Sequence, residues 1–335
     1  MKKLLVIVCV FGRYQDYIPL FVLSWLRAYP YADIRIYLQD TLNQDIKKQL
    51  ESVGALGRAN IIEDAYSMVS FTEKALLYPQ ISKCFRWLVY EPDFKEYEAI
   101  YIGDIDIIIV KEKEPLFDQH MKHCAYCKLP YSNIIRTKEP VNLWWHPKRL
   151  NTYVRQYGFR NVAKYMVKSK RVLYRLSGLH FFRAPEYLEA VMPLQAVFAG
   201  YLNRMAESKS KDYNIVHFNN EAMLFDLVKA SGLGLPKDED GNNAEVNIEE
   251  NPQAARFRPH HGIHLGIFRN NKNTSKNKHI LDSNVYKEYY QDFLEFEKTD
   301  EYKEISKHFS QFINEHIRVL HDYYRSLMTV FPSTR

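Results

Sequence analysis

Apolar runs alternate with amphipathic stretches over the first third of the chain. The apolar runs predict strands at 4–10, 34–38, 60–62 and 99–110, and the helical spacing between them predicts helices at 19–28, 43–53 and 71–90. This alternation is typical of a parallel sheet with crossover helices, so the predicted fold class is α/β. The first run follows two lysines, as in a signal peptide. No small-residue cleavage site comes after it, and we expect a buried strand instead.

The pattern changes beyond residue 117. A strand is predicted at 123–129, and a basic stretch at 155–175 indicates an insertion over about 135–175. Strand-then-helix order returns with a predicted strand at 176–183, and Pro185 opens the helix that follows it. The tail at 283–328 carries Tyr, Phe, Glu and Lys at helical spacing, which predicts two or three amphipathic helices. We therefore expect a main domain at 1–280 and a helical C-terminal extension at 281–335, through which the chain could form a homodimer.

The charge balance favours an anionic partner. With 46 basic and 40 acidic residues the formal net charge is +6, which suits a nucleotide, a nucleic acid, a phosphorylated glycan or a lipid surface. Trp144, Trp145 and the basic stretch can line an acceptor site, touch an anionic membrane or belong to a solvated helix. Four cysteines are too few for a disulfide framework, so we expect the cytoplasm, with peripheral contact at the inner face of the cytoplasmic membrane as an alternative.

Two predicted strand ends carry polar residues, and ligands of parallel sheets bind beyond the carboxyl ends of their strands. At the first end, Phe11, Gly12 and Tyr14 form a candidate binding segment, where Gly12 permits close backbone approach and the Tyr14 ring can stack on a base. At the second end, Asp104 and Asp106 interrupt an otherwise apolar run. The two ends are the first places to search for a site.

The aspartate pair needs a physical explanation. In a continuous strand, residues two apart lie on one face, so the carboxylates of Asp104 and Asp106 would be neighbours in an apolar setting. Two like charges there are costly unless a cation or several donors neutralise them. A divalent metal satisfies this requirement. The alternative is that one aspartate caps a turn and the other meets an arginine.

The run 101–108 resembles the strand and DxD motif of GT-A glycosyltransferases, and is closest to family 8. Further segments resemble that family in the required order. Arg86 lies in a segment like the helix with a donor-binding arginine, and Ser177-Gly178 in one like the strand whose turn lines the sugar pocket. Glu221 lies in a segment similar to an Asp-Gln helix, from which it departs as Asn220-Glu221. That departure leaves the register of Glu221 open.

The resemblance implies a GT-A fold and a metal site. The family closes its core with a histidine and glycine segment that supplies a third metal ligand; His264 fits best, with His261 as the second candidate. Two aspartates and an imidazole suit Mn²⁺, or Mg²⁺ with less preference for the nitrogen. Arg269 is a candidate for the diphosphate of the donor, and Phe11, Gly12 and Tyr14 for the rest of the nucleotide.

The implied activity is transfer of a hexose from a nucleotide diphosphate sugar, UDP-sugar favoured, to a glycan or lipid-linked glycan in bacterial polysaccharide or lipopolysaccharide synthesis. The resemblance implies retention of anomeric configuration, with Asp106 and Glu221 as the catalytic candidates. A sugar-phosphate nucleotidyltransferase is the enzymatic alternative, although only Gly12 stands where such enzymes carry a Gly-rich loop. A basic nucleic-acid-binding protein is the non-enzymatic alternative, but it leaves the aspartate pair unexplained. We therefore expect no nucleic-acid partner.

Overall fold

The computed structural model describes residues 2–138, 143–168, 173–207, 215, 218–236 and 261–330. Strands in these ranges are numbered β1 to β10 in chain order. They span Lys2–Val10, Ala32–Leu38, Ala59–Ile62, Tyr97–Ile102, Ile107–Ile109, Tyr131–Ser132, Ile135–Lys138, Leu173–Leu176, His180–Arg183 and Gly262–His264.

Helices in the same ranges are numbered α1 to α16. They span Ile18–Ala28, Gln44–Ser52, Glu73–Leu76, Pro79–Ser82, Phe85–Leu88, Leu116–Cys127, Pro147–Tyr157, Phe159–Lys168, Ala184–Val191, Gln195–Ala206, Asn220–Ala230, Asn271–Lys276, Lys278–Leu281, Asn284–Glu297, Asp300–Ser306 and Gln311–Val330.

The chain divides into two compact units. The first unit holds the described residues of 66–100 and 121–236, and the second holds those of 2–65, 101–120 and 261–330. In the second unit β3, β2 and β1 are neighbours, paired in parallel, and β4 follows β1. In the first unit β4 is followed by β9 and β6, which pair antiparallel. The resulting order β3-β2-β1-β4-β9-β6 is a mixed sheet with helices between its strands, which confirms the predicted α/β class.

The first strand and first helix form as predicted. Leu4 to Val8 are all buried in β1, and Pro19 occupies the first turn of α1, where its missing N–H is harmless. Trp25 of α1 is fully buried, with its ring centroid 5.7 Å from that of Tyr101. Both elements were predictable because each is a nearly uninterrupted apolar stretch bounded by polar residues.

The predicted continuous strand at 99–110 is wrong. β4 ends at Ile102, residues 103–106 leave the sheet, and β5 resumes at Ile107 in a separate two-stranded sheet with β10. The last contact with β1 is the N–H of Gly103, which donates to the carbonyl of Ile7 at 3.0 Å. Gly and Asp are poor strand formers, so the break falls where they cluster. Asp104 and Asp106 therefore meet through a turn rather than through strand alternation.

Two further predicted elements differ from the structure. The stretch 71–90 contains three one-turn helices, α3, α4 and α5, instead of one helix. Pro79 accounts for the first break, because it cannot continue the ladder of α3 and opens α4. The stretch 123–129 is not a strand, since α6 runs to Cys127 and the nearest strand is Tyr131–Ser132. The buried positions of α6, among them Gln119, His120, His123 and Cys124, recur at helical rather than alternating spacing.

The tail, for which two or three amphipathic helices were predicted, forms the three helices α14, α15 and α16. These helices belong to the same compact unit as β1 to β3. A homodimer formed through these helices stays a prediction. Within the insertion the structure describes β7, α7, α8 and β8, while residues 139–142 and 169–172 lie outside the described ranges. In the described part of the chain no helix combines the length and apolarity that crossing a bilayer requires.

Two buried histidines of the first unit predict acid sensitivity. Burial lowers the pKa of His123 from 6.5 to about 4 and that of His180 from 6.5 to about 3. Their Nδ1 atoms lie 2.7 Å from Ser132 Oγ and 2.8 Å from Asn133 Nδ2, respectively. Because the unfolded chain binds protons more tightly than the folded one, stability is complete above pH 6.5 and is lost as the pH falls towards these lowered pKa values.

We expect the unfolding free energy to fall by roughly 2 kcal/mol per histidine between pH 7 and pH 5. Chemical denaturation at both pH values measures this change. The His123→Gln variant should be less stable at pH 7 and show a flatter pH dependence. A variant whose pH dependence equals that of the wild type would contradict the assignment.

Candidate functional site

Three predicted ligands converge in the second unit. Asp104 and Asp106 lie in the turn between β4 and β5, and His264 ends β10. One ligand atom from each residue lies within 4.8 Å of the other two. The separation between His264 Nε2 and Asp106 Oδ1 is 3.3 Å. Two carboxylate oxygens and an imidazole nitrogen at this spacing form a set that fits a divalent cation.

The fold holds His264 against the aspartate turn through backbone pairing. β10 pairs antiparallel with β5, which places His264 opposite Ile107. Immediately after the strand, the N–H of Leu265 donates to the carbonyl of Asp106 at 2.8 Å. The apolar residues Ile107 to Ile109 are thus buried as a strand that carries the site, while the polar turn before them supplies the ligands.

The Asp106 carboxyl is ionised in spite of its burial. Burial opposes ionisation, but the charge and hydrogen bond of His264, together with the charge of Arg269, outweigh it and lower the pKa of Asp106 to about 2. Burial also disfavours the charged form of His264, yet the charges of Asp106 and Asp104 raise its pKa above 6.5. The site therefore attracts positive charge, as a cation site requires.

The candidate nucleotide segment contacts the same site. Arg269 Nη2 lies 3.3 Å from Asp106 Oδ2 and donates to the Tyr14 hydroxyl at 2.5 Å. Gly12 has φ +54°, and it opens the 3-10 turn Gly12–Tyr17 after β1. The Phe11 and Tyr14 ring centroids are 5.7 Å apart. The structure thus links Tyr14 to Asp106 through Arg269, which is 40% exposed and available to an anion.

His261 lies in a different cluster from His264. Its side chain is fully buried, with Nδ1 2.6 Å from Glu112 Oε2 and Nε2 2.9 Å from His120 Nε2. The Tyr289 hydroxyl donates to the other oxygen of Glu112. Both ring nitrogens of His261 are thus engaged, which leaves His264 as the histidine beside the aspartates.

A second polar cluster lies in the first unit. Glu221, in the first turn of α11, accepts a hydrogen bond from the N–H of Gly178 at 3.1 Å and pairs with Arg175 Nη1 at 2.7 Å. A Cβ on Gly178 would lie 2.9 Å from Arg86 Nη2 and 3.2 Å from Glu221 Oε1, so only glycine fits without a shift. The structure brings together Arg86, Gly178 and Glu221, which come from three separate motifs. Glu221, rather than its neighbour Asn220, faces the turn.

Asn133 holds this turn and was not foreseen from the sequence. Its side-chain oxygen accepts from the N–H of Ser177 at 2.7 Å, and its amide nitrogen donates to the Ser177 carbonyl at 3.1 Å. The buried asparagine thus fixes the loop between β8 and β9 on which Gly178 lies. Arg175 was missed as well. Its only sequence signal is a basic residue two positions before Ser177.

The C-terminal helix α16 packs against the turn after β1, which the sequence did not indicate. The hydroxyl of Tyr17 lies 2.6 Å from His316 Nδ1, and the Tyr14 and Phe312 ring centroids are 6.4 Å apart. The Arg13 guanidinium stacks over the Phe312 ring at 4.2 Å. The tail therefore helps to position the turn after β1.

Gly266 offers a specific test of the cation site. A Cβ on Gly266 would lie 2.5 Å from Asp106 Oδ2 and 3.0 Å from His264 Nε2, so it would displace both ligand atoms. We expect Gly266→Ala to weaken Mn²⁺ binding roughly 100-fold, because small ligand displacements carry large costs. Calorimetric Mn²⁺ titration measures the loss. Gly57→Ala is the matched control, since its Cβ would meet nothing within 4 Å. Equal Mn²⁺ affinities for the two variants would contradict the placement of the site.

No family model and no curated protein matches the sequence. Solved structures similar to this chain include the galactosyltransferase LgtC with donor and acceptor sugar analogues, at 11% identity over 66% of this chain and 69% of that chain, with a TM-score of 0.35. Core-mannan synthase A (CmsA/Ktr4) from Aspergillus fumigatus in its Mn/GDP form matches at 9% identity over 68% and 70%, with a TM-score of 0.38. The mannosyltransferase Ktr4p from S. cerevisiae matches at 9% identity over 72% and 67%, with a TM-score of 0.41. Likenesses this distant leave the question of function to the site itself.

Proposed function

We propose that the chain is a metal-dependent GT-A glycosyltransferase, which transfers a hexose from a nucleotide diphosphate sugar to a glycan acceptor. The observation that carries the proposal is the convergence of Asp104, Asp106 and His264 within 4.8 Å. The segments with Arg86, Ser177-Gly178 and Glu221 support it, since they follow one another in the order that the resemblance to family 8 implies.

In this proposal Asp104, Asp106 and His264 hold Mn²⁺, with Mg²⁺ as the alternative. The cation supplies Lewis-acid stabilisation of the leaving diphosphate. Arg269 is placed beside Asp106 and adds charge-assisted hydrogen bonds to the same anion. Phe11, Gly12 and Tyr14 bind the nucleoside part. The nitrogen ligand favours Mn²⁺ over Mg²⁺, because Mg²⁺ prefers an all-oxygen shell.

The first-unit cluster is assigned to the sugar from motif order. Arg175 and the Gly178 N–H hold the Glu221 carboxylate in one orientation. Such a fixed carboxylate can stabilise the positive charge that develops on the sugar ring as the diphosphate departs. Arg86, beside Gly178, contributes a cation to the donor. A retaining outcome, a UDP-sugar donor and a lipid-linked bacterial surface glycan as acceptor are the specific forms of the proposal.

A donor panel tests the proposed activity. UDP-, GDP- and CMP-sugars are incubated with the chain, with and without Mn²⁺, and binding and slow hydrolysis to free sugar are measured. We expect Mn²⁺-dependent binding and hydrolysis of at least one diphosphate donor. No binding by any donor, or release of pyrophosphate from a nucleoside triphosphate and a sugar phosphate, would contradict the proposal; the latter would indicate a nucleotidyltransferase.

A further inference from the structure

One stretch of the chain is free of acidic residues and rich in basic ones. Between positions 140 and 185 the sequence contains ten Lys and Arg residues and no Asp or Glu. These ten positive charges exceed the net charge of +6 of the whole chain, so the rest of the chain contains more acidic than basic residues. The positive charge of the protein is therefore concentrated in this stretch, which gives it a local attraction for polyanions.

The described part of this stretch also exposes large apolar side chains. Trp144 is 69% exposed, Trp145 79%, Phe159 70% and Val167 76%. The two tryptophans lie in the short turn Leu143–Trp145 before α7, and Phe159 and Val167 lie in α8. Isolated exposed apolar residues are common, but a group of them within a basic stretch indicates an interaction site.

The two helices present this combination outwards. α7 has no buried side chain, and its Lys148, Arg149 and Arg155 are exposed. Among the described side chains of α8, at 159–167, those of Val162 and Tyr165 are buried.

Arg160, Lys164 and Val167 of α8 have the spacing i, i+4 and i+7, so they share one side of that helix. The exposed surface of α7 and α8 thus carries basic and apolar groups side by side.

We propose that this surface, residues 143–167 of the first unit, binds anionic phospholipid bilayers. Indole and phenyl rings partition into the headgroup region, and neighbouring Lys and Arg pair with anionic headgroups. Charge complementarity selects this occupant. A nucleic acid could also pair with the basic side chains and stack its bases on the aromatic rings. The exposed Val167 has no ring for stacking, so its exposure is explained only by burial in an apolar phase such as a bilayer. The proposal does not depend on the glycosyltransferase proposal, since the surface at 143–167 contains none of the residues assigned there to the cation, the nucleotide or the sugar.

Vesicle flotation tests the proposal with the full chain. Vesicles of phosphatidylcholine alone are compared with vesicles containing phosphatidylglycerol, at low and high salt. We expect flotation with the anionic vesicles only, weakened by salt. The triple variant Lys148→Gln, Arg149→Gln and Arg155→Gln should bind roughly 100-fold more weakly, given the contribution of each basic residue near a charged bilayer. The double variant Trp145→Ala and Phe159→Ala should lose roughly tenfold without a change in charge.

A matched control changes the same charge elsewhere. Lys298, Lys303 and Lys307 of the tail are exposed, and their joint replacement by Gln should leave flotation unchanged. Absence of flotation with anionic vesicles, or equal losses in the control and the test variant, would overturn the proposal. A third result would also overturn it: the wild type binds a single-stranded oligonucleotide in a salt-sensitive way but does not bind vesicles, and the triple variant does not bind the oligonucleotide. Circular dichroism confirms that each variant is folded.

Discussion

Replacing Asp106 with Asn is expected to lower Mn²⁺-dependent donor hydrolysis roughly 1000-fold, because the cation loses a buried, ionised ligand. The carboxylate lies next to His264 and Arg269, and its pKa is lowered to about 2, so the wild-type side chain is charged at every pH of interest. Asn has the same shape but no charge. Hydrolysis rates at saturating donor and Mn²⁺ measure the effect.

An exposed aspartate provides the control for this substitution. The side chain of Asp300, at the start of α15, is 99% exposed and pairs with the exposed Lys303. Asp300→Asn should hydrolyse the donor at the wild-type rate. If Asp106→Asn does so as well, the aspartate turn does not carry the chemistry.

Replacing Glu221 with Gln is expected to lower turnover roughly 100-fold, while the affinity for the donor changes by less than about threefold. Gln can still accept the hydrogen bond from the Gly178 N–H, but it cannot offset the charge of Arg175 or that of a developing cation. The free energy of unfolding should fall by only about 1 kcal/mol. Separate measurement of kcat and of donor binding distinguishes this role from a structural one.

Glu186 supplies the comparison for Glu221. It pairs with Arg183 in the same unit, but the side chain of Glu186 is 54% exposed and that of Arg183 is 40% exposed. Glu186→Gln should therefore leave turnover and donor binding unchanged. A parallel loss of donor affinity and turnover in Glu221→Gln would show that the carboxylate serves the ground state, against the role proposed for it.

The elements that the sequence predicted well share strong, uninterrupted apolar patterns. β1 and α1 are each a nearly continuous run of buried residues, and the tail helices repeat apolar residues at helical spacing. Predictions were wrong where a local signal competes with the pattern. Pro79 separates α3 from α4 within 71–90, and β4 ends just before Gly103 and the two aspartates. Hydrophobicity alone cannot show such breaks, because the flanking residues remain apolar and buried.

The candidate site shows a similar division. The aspartate pair and His264 stand out in the sequence because charged or imidazole groups there interrupt apolar runs. The sequence ranked His264 before His261 but could not exclude His261, because its separate position depends on Glu112 and His120, whose approach to His261 is purely tertiary.

The supporting groups were beyond sequence reasoning for the same reason. Asn133 acts on Ser177 across 44 positions, and Arg175 on Glu221 across 46. Phe312 of α16 reaches the ring of Tyr14 from the far end of the chain. No periodicity or motif spacing encodes such contacts, since they form only when the elements pack.

The most direct test of the central claim is an electron spin resonance titration of Mn²⁺ in the presence of UDP, since bound Mn²⁺ loses the signal of the free ion. The wild type should bind one Mn²⁺ per chain. His264→Gln should weaken binding roughly 100-fold, whereas His261→Gln, which keeps a hydrogen-bonding group beside Glu112, should bind Mn²⁺ as the wild type does. Failure of the wild type to bind, or equal weakening in both variants, would contradict a metal site at Asp104, Asp106 and His264.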